Sequence, residues 1–364
     1  MKILNACPFN LSRDKIRVLW EITPRCNMNC KHCLFFGVNE KGIQQELTTS
    51  QVYDIIDNLS QEKKLNAIWL SGGEPLLRND IVDICRRISK KGIKPSLSTN
   101  SVLLTPKLIR DLHEAGVDYI HLSLDGSTAY THDSLRGVPG AFDKLMISMD
   151  LLKNSPIKTG ASFMVTEESI DEMEDVLEIA KDKNLSVLSF YLVAELGRGA
   201  TNFKEDKTNL AKRLNEKVKL LQLRNNINSP KIEVFRADTC ESEEDVLQEC
   251  LGDHFLNITY DGKLGACPWL MKSKEGFTVG SLLDKDFIEL EKICQNEMRR
   301  KIEKRREKLS FCEECTKKEQ CGRGCMALQI ETNGLYSELD PICPELNKNF
   351  PRTQKSSKLS TACM

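Results

Sequence analysis

Apolar residues along this chain switch between two periods. The run Ile16 to Ile22 (Ile-Arg-Val-Leu-Trp-Glu-Ile) reads as a buried strand that Thr23-Pro24 ends. Thr48 and Thr49 offer helix N-caps, and Val52, Ile55, Ile56 and Leu59 then fall on one helical face. The succession repeats. A strand from Ala67 to Ser71 leads to a helix from Asp80 to Lys90, which buries Ile81, Ile84, Cys85 and Ile88 and is stopped by Gly92. A strand from Lys94 to Ser98 leads to a helix opened by Pro106 and ending near Gly116. Tyr119 to Leu124 is a fourth strand, followed by a helix carrying Phe142, Leu145, Met146 and Met149. Strands from Ala161 to Val165 and from Val187 to Val193 flank a helix from Ile170 to Lys183. Six alternating units predict an α/β fold, a parallel and partly closed (β/α)6 barrel of the TIM type.

The barrel should span residues 16–203, after an N-terminal extension of residues 1–15. Residues 204–230 read as a helical bridge, because Leu210, Leu214, Val218 and Leu221 line up before Asn-Ser-Pro breaks the pattern. Residues 231–349 form a second, cysteine-rich domain. In it, Asp261-Gly262 signals a hairpin between Phe255-Leu-Asn-Ile258 and Lys263-Leu-Gly-Ala266. Phe287 to Lys308 is a charged helix with a solvated face, and residues 350–364 read as a flexible tail.

The loops after the first four strands hold the chemistry. The first reads Cys26-Asn-Met-Asn-Cys30-Lys-His32-Cys33, and the second Gly72-Gly73-Glu74-Pro75; Asn100 follows the third strand and Asp125 the fourth. In a parallel barrel these lie on one rim, the side on which such folds keep their active sites. A structural zinc site wants four ligands, whereas a cubane iron-sulfur cluster held by three thiolates leaves one iron open. Glycines at a strand end allow close backbone approach, and a carboxylate beside them can hold an ammonium group.

The C-x3-C-x2-C spacing after a first strand, followed by Gly-Gly-Glu-Pro after the second, resembles the radical S-adenosylmethionine (SAM) enzymes. The resemblance implies a [4Fe-4S] cluster on Cys26, Cys30 and Cys33. SAM would chelate its open iron and be cleaved to a radical that takes hydrogen from a substrate. It further implies that Gly72, Gly73, Glu74 and Asn100 contact SAM, with Glu74 on its amino group. Ser123 and Asp125 would lie at the ribose, Arg136 at the methionine carboxylate, and His32 and Leu192 at the adenine. Read without it, Arg136 is a solvated loop side chain and His32 a cap of its own loop. Glu195 and Arg198, in the loop after the sixth strand, are candidates to face the substrate.

Ten of the fifteen cysteines lie between Cys240 and Cys363. Cys250-x11-Gly262-x4-Cys267, Cys312-x2-Cys315-x5-Cys321-x3-Cys325 and Cys343 resemble the SPASM extension of radical SAM enzymes, which binds two auxiliary [4Fe-4S] clusters. That resemblance places Cys312, Cys315, Cys321 and Cys343 on the outer cluster, and Cys250, Cys267 and Cys325 on the inner one. Cys240 is the candidate fourth ligand of the inner cluster, which otherwise keeps an open iron. Structural zinc is the competing reading of the spacing alone.

Composition narrows the setting. Hydrophobic content of 40%, charge of 29% and a net charge of -1 describe an ordinary globular chain with no global field for nucleic acid or an anionic membrane. The polar N-terminus is not a secretory signal, and no apolar stretch reaches membrane-spanning length, so a cytoplasmic protein is expected. In that reducing compartment cysteines serve as metal ligands or free thiols. The family's commonest role makes oxidative modification or crosslinking of a ribosomally made peptide the leading function, with flavodoxin or ferredoxin as reductant. The first strand begins too early for a leader-binding domain in this chain, so a separate leader-binding protein would serve that purpose. Oxidation of a small molecule, a tetrapyrrole side chain or a carbohydrate, is the alternative; a non-catalytic iron-sulfur redox protein is the second. Sulfatase maturation fits less well, because Pro268 stands where those enzymes place an aspartate. No residue pattern identifies a catalytic base.

Overall fold

The structure, a computed structural model, describes residues 15–34, 46–194, 196–204, 207–224, 230–235, 255–273, 276–308, 326–327 and 330. Strand β1 (Ile16–Thr23) turns Ile16, Val18, Trp20 and Ile22 to one face, where they join a single core with the apolar stripes of α1 (Thr49–Leu59) and α2 (Ile81–Lys90). Thr48 caps α1 in a reciprocal capping box with Gln51, and Thr105 with Pro106 opens α3 (Pro106–Glu114). Strands β2 (Leu65–Gly72), β3 (Lys94–Thr99), β4 (Tyr119–Ser123), β5 (Lys158–Val165) and β6 (Val187–Leu192) follow in parallel. Between them run α4 (Ala129–Arg136), α5 (Ala141–Lys153) and α6 (Met173–Asp182).

The sheet extends past the six expected strands. Strand β7 (Lys231–Phe235) pairs parallel with β6, and β8 (Phe255–Ile258) pairs parallel with β1 at the other edge. Strands β9 (Lys263–Gly265) and β10 (Gly280–Ser281) continue antiparallel, so the described sheet runs β10-β9-β8-β1-β2-β3-β4-β5-β6-β7. The hairpin expected around Asp261-Gly262 is the β8–β9 pair. Segments expected in the C-terminal domain thus complete both edges of the barrel sheet. Helices α7 (Gly199–Asn202), α8 (Lys207–Arg224), α9 (Pro268–Met271) and α10 (Phe287–Lys308) follow the chain outward. Among the described residues no helix is long and apolar enough to cross a membrane.

Loop contacts show that the sheet curls. Strands β1 and β6 stand five places apart in the sheet, roughly 24 Å if it were flat. Yet the Arg198 N–H, past the end of β6, donates to the Cys33 carbonyl, past the end of β1, at 3.0 Å. Curling leaves the helices outside and a polar lining inside. Buried Arg17, Glu21, Ser96, His121, Ser189, Glu233 and Asn257 alternate with the apolar core positions of their strands. Trp69 is on this face too, its indole N–H on Ser98 Oγ at 2.5 Å and its ring 5.8 Å from that of His121.

Two buried histidines make the fold sensitive to acid. His121 Nδ1 lies 3.2 Å from the Tyr119 hydroxyl, and His132 Nδ1 accepts the Asp125 N–H at 3.1 Å. Burial lowers both from 6.5 to about 4, helped at His132 by the Arg136 charge. Between those values the unfolded chain binds protons that the folded chain refuses, so stability falls as pH drops from 6.5 toward 4. Each histidine should contribute about 1.4 kcal/mol per pH unit in this window. Urea unfolding of the metal-free chain at several pH values measures the slope, and His121→Gln should reduce it by about 1.4 kcal/mol per pH unit; an unchanged slope would refute the assignment.

Candidate functional site

The cysteine loop has no regular secondary structure, so neighbours supply its partners. On one side, the last carbonyls of α4 accept its amides, Asn29 N–H to Arg136 O at 3.2 Å and Lys31 N–H to Leu135 O at 2.8 Å. Gly137 ends α4 at φ 68°, and a Cβ there would lie 2.5 Å from the Asn29 carbonyl. Lys31 Nζ also donates to Ser134 Oγ at 2.8 Å. On the other side, Asn202 Nδ2 donates to the Lys31 carbonyl at 2.6 Å.

The second motif packs against the root of the same loop. Gly73 N–H donates to Thr23 O at 2.8 Å and Glu74 N–H to Arg25 O at 2.7 Å. A Cβ on Gly72, whose φ is 121°, would lie 2.3 Å from Thr23 O, and one on Gly73 would lie 2.1 Å from Arg25 O. The backbone that approaches these glycines so closely is therefore the chain's own. This aims Glu74 inward. Its carboxylate is fully buried and accepts from Leu76 N–H at 3.0 Å, Thr99 Oγ1 at 2.7 Å and Asn100 N–H at 2.7 Å. Burial raises its pKa despite those donors, so a cation brought beside it would be favoured. Asn100, at the end of β3, reaches back to the cysteine loop through Nδ2 to Asn27 Oδ1 at 2.7 Å.

A charged cluster closes the ring. Asp125, 1% exposed, lies with Oδ2 2.7 Å from Arg136 Nη2 and 3.5 Å from His32 Nε2, while Oδ1 accepts the Met164 N–H at 2.8 Å. Burial opposes its ionisation, but Arg136, His32 and His132 outweigh that and hold its pKa low. Arg136 also directs Nη1 at Cys30 Sγ, 3.5 Å away. Burial lowers His32 to about 4, Asp125 opposing, so the ring is neutral at pH 7. Ser123 is half-buried at the end of β4, and Leu192 is buried at the end of β6.

Cys26, Cys30 and Cys33 pack around Met28, Val102, Val138 and Ala141, and none is in a disulfide. Burial pushes the Cys26 thiol up to about 11, and the Cys30, Glu74 and Cys33 charges add to this, against a Met28 backbone hydrogen bond. Three thiolates here need a positive partner. Among the described residues no three His, Cys, Asp or Glu side chains gather closely enough to hold a single metal ion. A cube carries its thiolates on separate irons and does not require such convergence. His32 Nδ1, Arg136 Nε and Arg198 Nε are buried without a hydrogen-bond partner, and all three belong to this one mouth. The donor set therefore fits a cluster with a polar ligand beside it.

Of the expected site residues, the loop cysteines, His32, Gly72, Gly73, Glu74, Asn100, Asp125 and Arg136 come together at this mouth. Glu195 lies outside the described residues, as do Cys240, Cys250, Cys312, Cys315, Cys321, Cys325 and Cys343. Arg198 donates through Nη1 to Asn29 Oδ1 of the cysteine loop. Sequence reading missed Asn27, Asn29 and Asn202, whose only signal is a polar side chain within or near a motif loop.

Two substitutions test the geometry. Gly72→Ala should destabilise the chain by about 1–3 kcal/mol and lower its iron content, because the strained φ and the Thr23 carbonyl both resist a methyl group. Asp125→Asn leaves the Arg136 guanidinium buried with a neutral neighbour and should cost about 3–5 kcal/mol in urea unfolding. Wild-type midpoints for either variant would contradict the contacts described.

Comparison with known proteins agrees with this geometry. Residues 20–180 match the family model described as the radical SAM superfamily. The AdoMet-dependent heme synthase of Methanosarcina barkeri is 28% identical over 344 residues, covering 90% of this chain and 95% of that protein. The mycofactocin maturase MftC of Mycolicibacterium smegmatis is 30% identical over 186 residues, 51% of this chain but 46% of its own length. Among solved structures, Streptococcus suis SuiB bound to S-adenosylmethionine superposes with a TM-score of 0.73 at 17% identity, over 91% of this chain and 77% of SuiB, which shows a shared fold. With the cysteine loop, Glu74 and the Asp125–Arg136 pair on one rim of a parallel sheet, the chain carries a radical SAM domain over residues 20–180.

Proposed function

We propose that this protein is a radical SAM enzyme that abstracts hydrogen from its substrate and completes a net oxidation. The observation that carries the reading is the placement of three thiols in one packed cluster, one fully buried carboxylate and an Arg–Asp pair at a single barrel mouth. Cys26, Cys30 and Cys33 would hold a [4Fe-4S] cluster, and SAM bound at its open iron would supply the hydrogen-abstracting radical. Glu74 has three donors on its two oxygens and acceptor capacity left for an ammonium group. Arg136, already beside Cys30, would meet a carboxylate; Asp125 and Ser123 would meet ribose hydroxyls; His32 and Leu192 would flank the adenine. The polar barrel lining below would receive the substrate and exclude bulk water.

Auxiliary clusters on the C-terminal cysteines would take up or deliver the electron that an oxidation leaves over. Cys267, at the start of α9, would be one ligand; burial raises its pKa against backbone hydrogen bonds from Leu270 and Trp269, so its thiolate would need the irons' charge. Its fellow ligands rest on spacing. The substrate we favour is a ribosomally made peptide, presented by a separate leader-binding protein, with flavodoxin or ferredoxin as reductant, in the cytoplasm. A second reading, tetrapyrrole side-chain oxidation, is favoured by the match over 95% of the M. barkeri heme synthase.

Anaerobically reconstituted full-length protein, given dithionite and SAM, should form 5′-deoxyadenosine and methionine in equal amounts, and Cys30→Ala should abolish both. No 5′-deoxyadenosine from the iron-loaded protein would end the enzyme reading. Adding an iron porphyrin with carboxylate side chains, or in a parallel assay a peptide encoded beside this gene, then separates the substrates. Faster 5′-deoxyadenosine formation with a mass change in only one of them selects that class.

A further inference from the structure

The loop after β6 has a use that its charged residues alone do not suggest. Among the described residues, three hydrogen bonds run from it and the end of α7 to the cysteine loop. The Arg198 N–H donates to the Cys33 carbonyl at 3.0 Å, the Arg198 guanidinium donates to Asn29 Oδ1, and Asn202 Nδ2 donates to the Lys31 carbonyl at 2.6 Å. The two loops are also pressed together. A Cβ on Gly197, whose φ is 53°, would lie 2.5 Å from Cys33 O, and one on Gly199 would lie 3.3 Å from His32 O. Residues 29–33 are therefore gripped from β6 on one side and from α4 on the other.

We propose that Arg198 is a positioning residue for the iron-sulfur site: its guanidinium holds Asn29 while its backbone N–H holds Cys33, so that the third thiolate stays in register with the first two. This rests on the radical SAM reading of the loop, and it assigns Arg198 to the cluster side of the mouth instead of to the substrate. The physical logic is that of an outer partner to a metal ligand. Such a group makes no bond to the metal, but it fixes the ligand's orientation, and removing it commonly weakens metal retention by about 10–100-fold. An irregular loop has no ladder of its own to restore that orientation. The charge matters as well. The guanidinium lies against the cysteine loop at Asn29, and its positive charge lowers the cost of adding an electron to a cluster held there by thiolates.

The test uses anaerobically reconstituted full-length protein, wild type against Arg198→Ala, Arg198→Lys and Asn29→Ala, together with the Arg198→Ala/Asn29→Ala double variant. The cluster on Cys26, Cys30 and Cys33, where SAM would bind, is the one whose reduced electron paramagnetic resonance (EPR) spectrum should change when SAM is added, so that SAM-responsive signal reports this site apart from any auxiliary cluster. Arg198→Ala and Asn29→Ala should each lose the signal about tenfold faster to an iron chelator. The double variant should be no worse than either single, because both remove the same contact. Arg198→Ala should shift the midpoint potential of the signal to more negative values, and Arg198→Lys should restore the potential more fully than the retention. Wild-type retention and potential in Arg198→Ala overturn the inference, as does additive loss in the double variant. If Arg198→Ala does not fold, Asn29→Ala decides alone, and its indifference counts against the proposal. A wild-type protein with no SAM-responsive signal would instead refute the radical SAM reading beneath it.

Discussion

A loop outside every helix and strand must find outside itself the hydrogen bonds that give it a shape. Residues 24–34 are such a loop, and the site depends on how its backbone groups are met. Its root pairs with the second motif through the Arg25 carbonyl, its middle with the end of α4, and its far end with the loop after β6. Each anchor lies at the C-terminal end of a different barrel element. The barrel brings those ends together around the three thiols, and the loop adds one turn of its own, Cys33 N–H to Cys30 O at 3.3 Å.

Electrostatics add a second constraint. The mouth contains Glu74, Asp125 and three thiols; burial opposes the ionisation of Glu74, Asp125 and Cys26, and Arg136 is the cation that touches both an acid and a sulfur. Asp125 stays ionised because of this neighbour, whereas Glu74 and Cys26, farther from it, are raised. The imbalance is that of a place shaped for additional positive charge, which both the irons and an ammonium group would provide.

Much of this could be read in the chain beforehand, and the failures have a common form. Strands β1 to β6 were legible because an apolar alternation is local, and the cysteine loop because its spacing is. Helix α4 was not, since its buried residues are Thr131, His132, Leu135 and Arg136, which form no apolar stripe. Strand β7 is five residues long and shows its alternation only once Pro230 is known to start an edge. Gly72 and Gly73 were recognised as a close approach, but their neighbour is the Thr23–Arg25 backbone. Contacts such as Asn100 with Asn27, or Arg198 with Asn29, join ordinary polar residues 73 and 169 positions apart, and no local pattern marks them.

Those long separations order events in the life of the protein. Cys30 meets Arg136 across 106 residues, and Lys31 meets Asn202 across 171. A nascent chain that has made its three thiols still lacks the walls that orient them until the sixth strand has been synthesised and docked. A cluster held as proposed would therefore have its complete setting only after β6 and α7 have docked, and it would enter through the mouth that these ends rim.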